Sequence, residues 1–307
     1  MDSLNKQNLN KIIEQASQVL LGKEEHIKLA LCCILARGNL LIEDIPGVGK
    51  TTLARIFGKL LGLSVSRIQF TNDMLPGDIL GINFYDGNKQ QFEFRKGPIF
   101  GQLILADELN RATPKSQSAL LQVMEERKVD IDGLNFKMDP YFTIIATQNP
   151  LQQIGTYPLP ESQIDRFFMG LEIGLPDEDI EKRILLESYN QEKWKELKPV
   201  ATLDELGLWM NEVGKIDFSE NAADFVLKII QTCRKTLEYG KLLSPRSSID
   251  LVRASKSYAL LNGKTFVTNE EIFKVAPYIL GHRAGGVNGV SSGIREVKRV
   301  LNELEDF

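Results

Sequence analysis

An α/β fold with a parallel sheet flanked by helices, followed by an all-helical domain, is predicted by three features of the chain. Strand-like and helix-like segments alternate up to about residue 173, and beyond it nearly every segment reads as helix. The segments Leu103 to Ala106 and Phe142 to Ala146 are continuously apolar rather than alternating, as strands covered on both faces require. A glycine-rich turn, Asp44 to Thr51, joins a buried strand at Asn39 to Ile42 to a helix whose apolar residues Leu53, Ile56, Phe57, Leu60 and Leu61 follow helical spacing.

The remaining elements follow in order. Further strands are expected at Ser66 to Phe70 and Phe168 to Ile173. Two hairpins interrupt the α/β alternation. In the first, Ile82 and Phe84 alternate up to an Asp86-Gly87 turn, with Phe92 and Phe94 on the return. In the second, Val129 and Ile131 lead to Asp132-Gly133, followed by Leu134, Phe136 and Met138. The helical part opens at Pro176, where Asp177, Glu178 and Asp179 place acids in a first turn ahead of Lys182 and Arg183. Capping boxes are predicted at Thr202 with Glu205 and at Thr268 with Glu271. Phe225, Ile229 and Cys233 read as core, as do Leu251, Ala254, Tyr258 and Leu261. The Gly/Ser-rich stretch from Gly285 to Gly293 reads as a mobile loop before a last helix. The expected division is residues 1–173 as the α/β core and 174–307 as the helical domain.

Composition narrows the function classes. The chain has 307 residues, 43% hydrophobic and 25% charged, enough for two cores and unlike a disordered protein. A net charge of -4 and a pI near 5.5 argue against a broad nucleic-acid footprint. Three cysteines, with Cys32 and Cys33 adjacent in an apolar helical stretch, suit neither a disulfide framework nor zinc spacing and fit a reducing, cytoplasmic location. His26 and His282 are the only histidines, which leaves a histidine metal site or a Ser/His/Asp triad little to work with. Met1 to Asn8 is polar, without the apolar core of a secretion signal. The apolar stretch Leu29 to Ala36 covers about half of a bilayer, so no membrane span is expected.

The chemistry concentrates at a few positions. A strand, glycine turn and helix aim the backbone N–H groups of Gly47, Val48 and Gly49 at one point, where the helix dipole favours an anion. Pro46, Thr52 and these glycine-turn residues would surround a triphosphate, with Lys50 reaching its β- and γ-phosphates and the Thr51 hydroxyl reaching Mg²⁺. Asp44 stands where the usual phosphate-loop pattern has its first glycine, so that pattern is incomplete at one end. The strand Leu103 to Ala106 places Asp107 at its carboxyl end to hold Mg²⁺, with Glu108 as general base for the attacking water. The strand Phe142 to Ala146 runs on into Thr147, Gln148 and Asn149, and Asn149 could bond the γ-phosphate or the water before Pro150 stops the strand.

With these residues assembled, the chain resembles the AAA+ ATPases and, within them, the MoxR family. The matches are Glu43 to Thr51, Gly97 to Phe100, Ala106 to Ala112, Gln117 to Leu121, Ala146 to Pro150, Gly155 to Glu161, Asp165 to Phe167 and Ser244 to Arg246, in that order over nearly the whole chain. The resemblance implies a P-loop NTPase (AAA+) parallel sheet flanked by helices with inserted β-hairpins, followed by an all-helical lid domain. It implies ATP and Mg²⁺ as cofactors and Asn149 as the sensor-1 residue. It further implies Arg166 as an arginine finger acting on a neighbouring subunit, and Arg246 as the sensor-2 residue of the lid. Arg246 falls in the first turn of a helix capped by Ser244 with Pro245 at N1, where a cation is disfavoured unless an anion stands nearby. By the same resemblance the protein forms a ring, expected to be hexameric, with the hairpins facing its channel. Its output would be chaperone-like remodelling of partner proteins, frequently ones with von Willebrand factor A domains. Two rivals are a nucleotide-dependent binding switch with little turnover, which the Asp107 and Glu108 pair argues against, and a DNA-acting motor, which the acidic balance argues against.

Overall fold

The computed structural model describes residues 3–149, 155–186 and 193–305; the expected strand stop at Pro150 lies outside them. Helices α1 (Ser3–Ser17) and α2 (Glu24–Leu35) precede β1 (Leu40–Glu43), α3 (Lys50–Leu60) and β2 (Val65–Gln69). A short α4 (Pro76–Leu80) leads into the first hairpin, β3 (Gly81–Asp86) with β4 (Gln91–Lys96), and then β5 (Leu103–Asp107). Next come α5 (Pro114–Glu126), the second hairpin β6 (Lys128–Ile131) with β7 (Leu134–Lys137), β8 (Thr143–Gln148), α6 (Glu161–Ile164) and β9 (Met169–Leu171). The remainder is helical: α7 (Glu178–Leu186), α8 (Leu203–Lys215), α9 (Glu220–Thr236), α10 (Pro245–Leu261), α11 (Asn269–Ala284) and α12 (Gly289–Glu305).

The main sheet is parallel throughout, in the order β2-β5-β8-β1-β9. Strands β1, β5 and β8 are buried along their whole length because both faces are covered, as their unbroken apolar runs predicted. Alternate residues divide between two cores. Leu40, Ile42, Leu103, Leu105 and Ile145 join α1, α2, α3 and the C-terminal helices, whereas Leu41, Ile104, Ala106, Ile144 and Ala146 pack towards α5. The parallel order brings the carboxyl ends of β1, β5 and β8 side by side, which is where the loops bearing Asp44, Glu108 and Asn149 begin.

Both hairpins form as expected and brace one another. Asn83 donates to Asp132 at 2.5 Å, and the Phe94 and Phe136 rings stack at 4.5 Å. Tyr85 and Phe92 meet edge-on at 5.4 Å and stay exposed near the tip. Both capping boxes are present. In the first, Thr202 Oγ1 accepts from Glu205 N–H at 3.2 Å while the Glu205 carboxylate accepts from Thr202 N–H at 2.8 Å.

The Gly285 to Gly293 stretch departs from its expectation. It is a single 3-10 turn, Gly286–Asn288, followed directly by α12, whose first turns lie against α11. A Cβ at Gly293 would sit 1.9 Å from the Gly281 carbonyl oxygen, and one at Gly285 would sit 2.0 Å from that of Gly289. These glycines let two helix backbones touch; they do not mark a loose segment. Packed in this way, α11 lies beside β9 and α12 beside β1, so the last two helices cover one edge of the sheet.

Candidate functional site

The turn after β1 has the backbone that its glycines allow. Gly47 and Gly49 adopt φ of +91° and +96°, and a Cβ on Gly49 would meet Leu20 Cδ1 at 2.6 Å. Helix α3 starts at Lys50, so the unpaired N–H groups of its first turn and its positive dipole end face the same space. The Lys50 ammonium donates to the Asp44 carbonyl at 2.5 Å. Burial pulls its pKa down, and the carboxylates of Asp44, Asp107, Glu108 and Glu43 pull the other way. Asp44, which occupies the missing-glycine position, accepts from Ile45 N–H at 2.7 Å with one oxygen and from Gly174 N–H at 2.6 Å with the other.

The acidic pair stands at the end of β5. Asp107 accepts from the Thr147 hydroxyl at 2.7 Å and pairs with Arg67 at 2.6 Å. Glu108 sits in a left-handed conformation, φ +56°, which costs a non-glycine residue about 1 kcal/mol. Its N–H donates to Thr147 Oγ1 at 2.9 Å, and its carboxylate pairs with Arg111 at 3.1 Å. The backbone of Asn149 is clamped by the fully buried Asn110, whose Oδ1 accepts from its N–H at 3.3 Å and whose Nδ2 donates to its carbonyl at 3.0 Å. Asn110 and Thr147 were singled out for no role of their own in the sequence. Thr147 near the end of an apolar strand and Asn110 in the short turn after another were the available signal, polar side chains beside apolar runs.

A cavity of about 610 Å³ collects these groups. Pro46 through Thr52, Asp107, Glu108 and Asn149 all line it, closed by Leu20 and Lys23 on one side and by Pro176 and Ile184 on another. Its oxygen donors, the Thr51 hydroxyl and the Asp107 carboxylate, suit a hard cation such as Mg²⁺ that keeps water and phosphate oxygens as its other ligands. Among the described residues no cluster of three or more His, Cys, Asp or Glu side chains could hold a metal by itself.

Two expected site residues lie elsewhere. Arg166 and Arg246 do not line the cavity; both converge on Glu125 of α5, at 3.3 Å and 2.5 Å. The hydrogen bond from Arg246, with both guanidinium charges, holds the Glu125 carboxyl below the usual range. Glu125 is therefore the anion that the first-turn position of Arg246 demanded. Next to Arg166, Asp165 is held by the buried Arg283 of α11 at 2.7 Å, and Arg283 also bonds the Asp165, Phe167 and Ile279 carbonyls and pairs with Asp250 of α10 at 2.6 Å.

A parallel sheet with a glycine phosphate turn after β1, an acidic pair at the end of β5, the strand β8 between them, and a helical lid defines a P-loop nucleoside triphosphatase. Residues 39–169 match the ATPase family associated with various cellular activities (AAA), and residues 233–301 match the AAA lid domain. The chain is 40% identical over 276 residues to YeaC, an uncharacterised protein of Bacillus subtilis, covering 90% of this chain and 86% of that one. It is 34% identical over 286 residues to Chaperone MoxR1 of Mycobacterium tuberculosis, covering 90% of this chain and 75% of that one. A crystal structure described as a candidate ATPase of Cytophaga hutchinsonii superposes with a TM-score of 0.83 at 32% identity, covering 97% of this chain and 94% of that one. The chain belongs to the MoxR family of AAA+ ATPases. Nucleotide binding comes with that membership, and among the described residues no helix is long and apolar enough to cross a membrane.

Proposed function

We propose that this chain hydrolyses ATP with Mg²⁺ and uses the energy for chaperone-like remodelling or maturation of partner proteins. The observation that carries the reading is the convergence of Lys50, Thr51, Asp107, Glu108 and Asn149 on the one cavity bounded by the phosphate turn. Lys50 and the N–H groups of 47–52 bind and orient the triphosphate, and the Thr51 hydroxyl and Asp107 would hold the cation. When bound, Mg²⁺ neutralises charge developing on the transferred phosphoryl group. Glu108 takes the proton of the attacking water once it leaves Arg111, and Asn149 orients that water or the γ-phosphate.

Arg166 and Arg246 act together on a neighbour's site in this reading. Their shared anchor on Glu125, away from their own cavity, supports a pair of guanidiniums presented across a subunit boundary. The assembly is a ring, taken as hexameric, with residues 1–173 as core and 174–307 as lid, and with the paired hairpins turned to its channel. Movement of lid against core on hydrolysis is the mechanical output. The name of the mycobacterial relative supports a chaperone-like role, and von Willebrand factor A domain proteins are the clients we put forward. A cytoplasmic location is part of the same reading.

Steady-state phosphate release with Mg²⁺ and ATP tests the chemistry. The Glu108→Gln protein is expected to bind ATP as the wild type does and to turn it over at least about a hundredfold more slowly. Equal turnover would remove Glu108 from its role. One observation favours a slow binding switch instead: both acids are already paired, Asp107 with Arg67 and Glu108 with Arg111. Wild-type ATP binding without phosphate release would select it.

A further inference from the structure

We infer that Glu43 is a positioning residue, a buried carboxylate relay that ties the end of β8, and through it Asn149, to the first turn of α12 in the lid. This rests on the ATPase reading above and adds the route by which the nucleotide's state reaches the lid. The register sets Glu43 directly beside Gln148 on adjacent parallel strands. One carboxylate oxygen of Glu43 accepts from Gln148 Nε2; the other accepts from Val290 N–H at 2.9 Å. Glu43 lies one residue before the phosphate turn, so a single side chain joins three pieces of the molecule that the nucleotide cycle would have to coordinate.

Three features show that the contact is built and not incidental. First, Glu43 is only 7% exposed, its pKa is pushed up by burial and by the nearby Glu172 and Asp44, and no salt bridge to it occurs among the described residues. A buried charge with no ion-pair contact needs other compensation, and here the N-terminal dipole of the α12 helix and the Gln148 amide supply it. Second, Gly289 has φ of +83°, and a Cβ there would lie 2.4 Å from the Glu43 carboxylate oxygen that Val290 meets. Helix α12 can therefore come down on Glu43 only with glycine at its start. Third, successive residues of the strand end face opposite ways. Asn149 lines the nucleotide cavity, whereas Gln148 lines a separate cavity of about 510 Å³ walled by Glu43, Gly289 and Val290. A pull on Asn149 by a γ-phosphate then tilts Gln148 against Glu43, and Glu43 against α12.

Gln148 Oε1 is buried with no partner in this arrangement. That orphan oxygen makes the relay separable from a purely structural role. In Glu43→Gln, the new amide keeps its oxygen on Val290 N–H, and Gln148 can turn so that its Oε1 accepts from the new Nε2. Glu43→Ala removes both links, and Gln148→Leu cuts the β8 link alone.

The test is amide hydrogen exchange of Val290 to Gly293, with and without Mg²⁺ and ATP, in the Glu108→Gln background. The parent is expected to show exchange there slowed by ATP. Glu43→Ala and Gln148→Leu should lose that response while binding ATP within about twofold of the parent, and Glu43→Gln should restore it. With Glu108 intact, Glu43→Ala should lower kcat roughly tenfold at nearly constant KM. An undiminished ATP response in both Glu43→Ala and Gln148→Leu overturns the relay, as does a Glu43→Gln protein as unresponsive as Glu43→Ala. Should Glu43→Ala not fold, the Gln148→Leu protein decides alone. A wild type that binds ATP yet releases no phosphate defeats the hydrolysis reading only, and the exchange comparison still judges the relay.

Discussion

Replacing Arg283 with Met should destabilise the protein by about 4 kcal/mol, because Arg283 is the cation that bridges Asp165 and Asp250 at the junction of α6, α10 and α11. Its side chain is 1% exposed and its guanidinium reaches two carboxylates, at 2.7 Å and 2.6 Å. Breaking a buried pair from one side costs about 3–5 kcal/mol, since the remaining charge is stranded. Here, among the described residues, Asp250 would keep a salt bridge with the more exposed Arg253 alone, at 3.4 Å, and the more distant charge of Arg246. The carbonyls of Asp165, Phe167 and Ile279 lose a donor as well, and the apolar methionine stem offsets part of that loss. Urea unfolding followed by the fluorescence of the fully buried Trp209 provides the assay. With an m-value of about 3 kcal/mol/M, the midpoint should fall by roughly 1 M. Adding Asp250→Asn removes the stranded charge and should return about 1–3 kcal/mol. A midpoint shift below about 0.3 M, or a double variant no better than the single one, would refute the argument.

Other expectations are equally open to measurement. If Arg166 serves a neighbour's site, Arg166→Ala and Glu108→Gln proteins, each inactive alone, should regain ATPase activity when mixed, and a mixture as silent as its components would exclude action in trans. Gly293→Ala forces a Cβ to within 1.9 Å of the Gly281 carbonyl and should cost about 1–3 kcal/mol in the same urea assay, whereas a loop glycine would tolerate the change. The folded-state pKa of Glu43 is raised, so the native protein holds that proton more firmly than the unfolded chain. Wild type should therefore lose stability relative to Glu43→Gln as pH climbs from the ordinary glutamate value of 4.5 through the raised one, and the gap should narrow in acid. Paired unfolding curves across that range check the sign.

The sequence was most legible where structure is local. The phosphate turn, both hairpins and both capping boxes depend on residues within a few positions of one another, and each formed where its pattern stood. The glycines of 285–293 misled because loops and touching helices favour glycine for different reasons, and only the position of Gly281 on the facing helix separates the two. Long-range pairings left no local trace. That Arg166 and Arg246 would share Glu125, or that Thr147 would bridge Asp107 and the Glu108 amide, follows from the strand order and the lid packing, not from any periodicity. Apolar strands announced where the site is, while the side chains that hold its parts in register came from polar residues that look unremarkable in one dimension.

Asp44 carries a consequence for how fast and how tightly the triphosphate is taken up. Because its two carboxylate oxygens grip the Ile45 amide and the Gly174 amide, the chain on either side of the cavity is fastened before any ligand arrives. A cradle stiffened beforehand surrenders little conformational freedom on association, so affinity is expected to depend mainly on shedding water from Lys50 and the phosphates. Glycine at this position would slacken both strands of that fastening together.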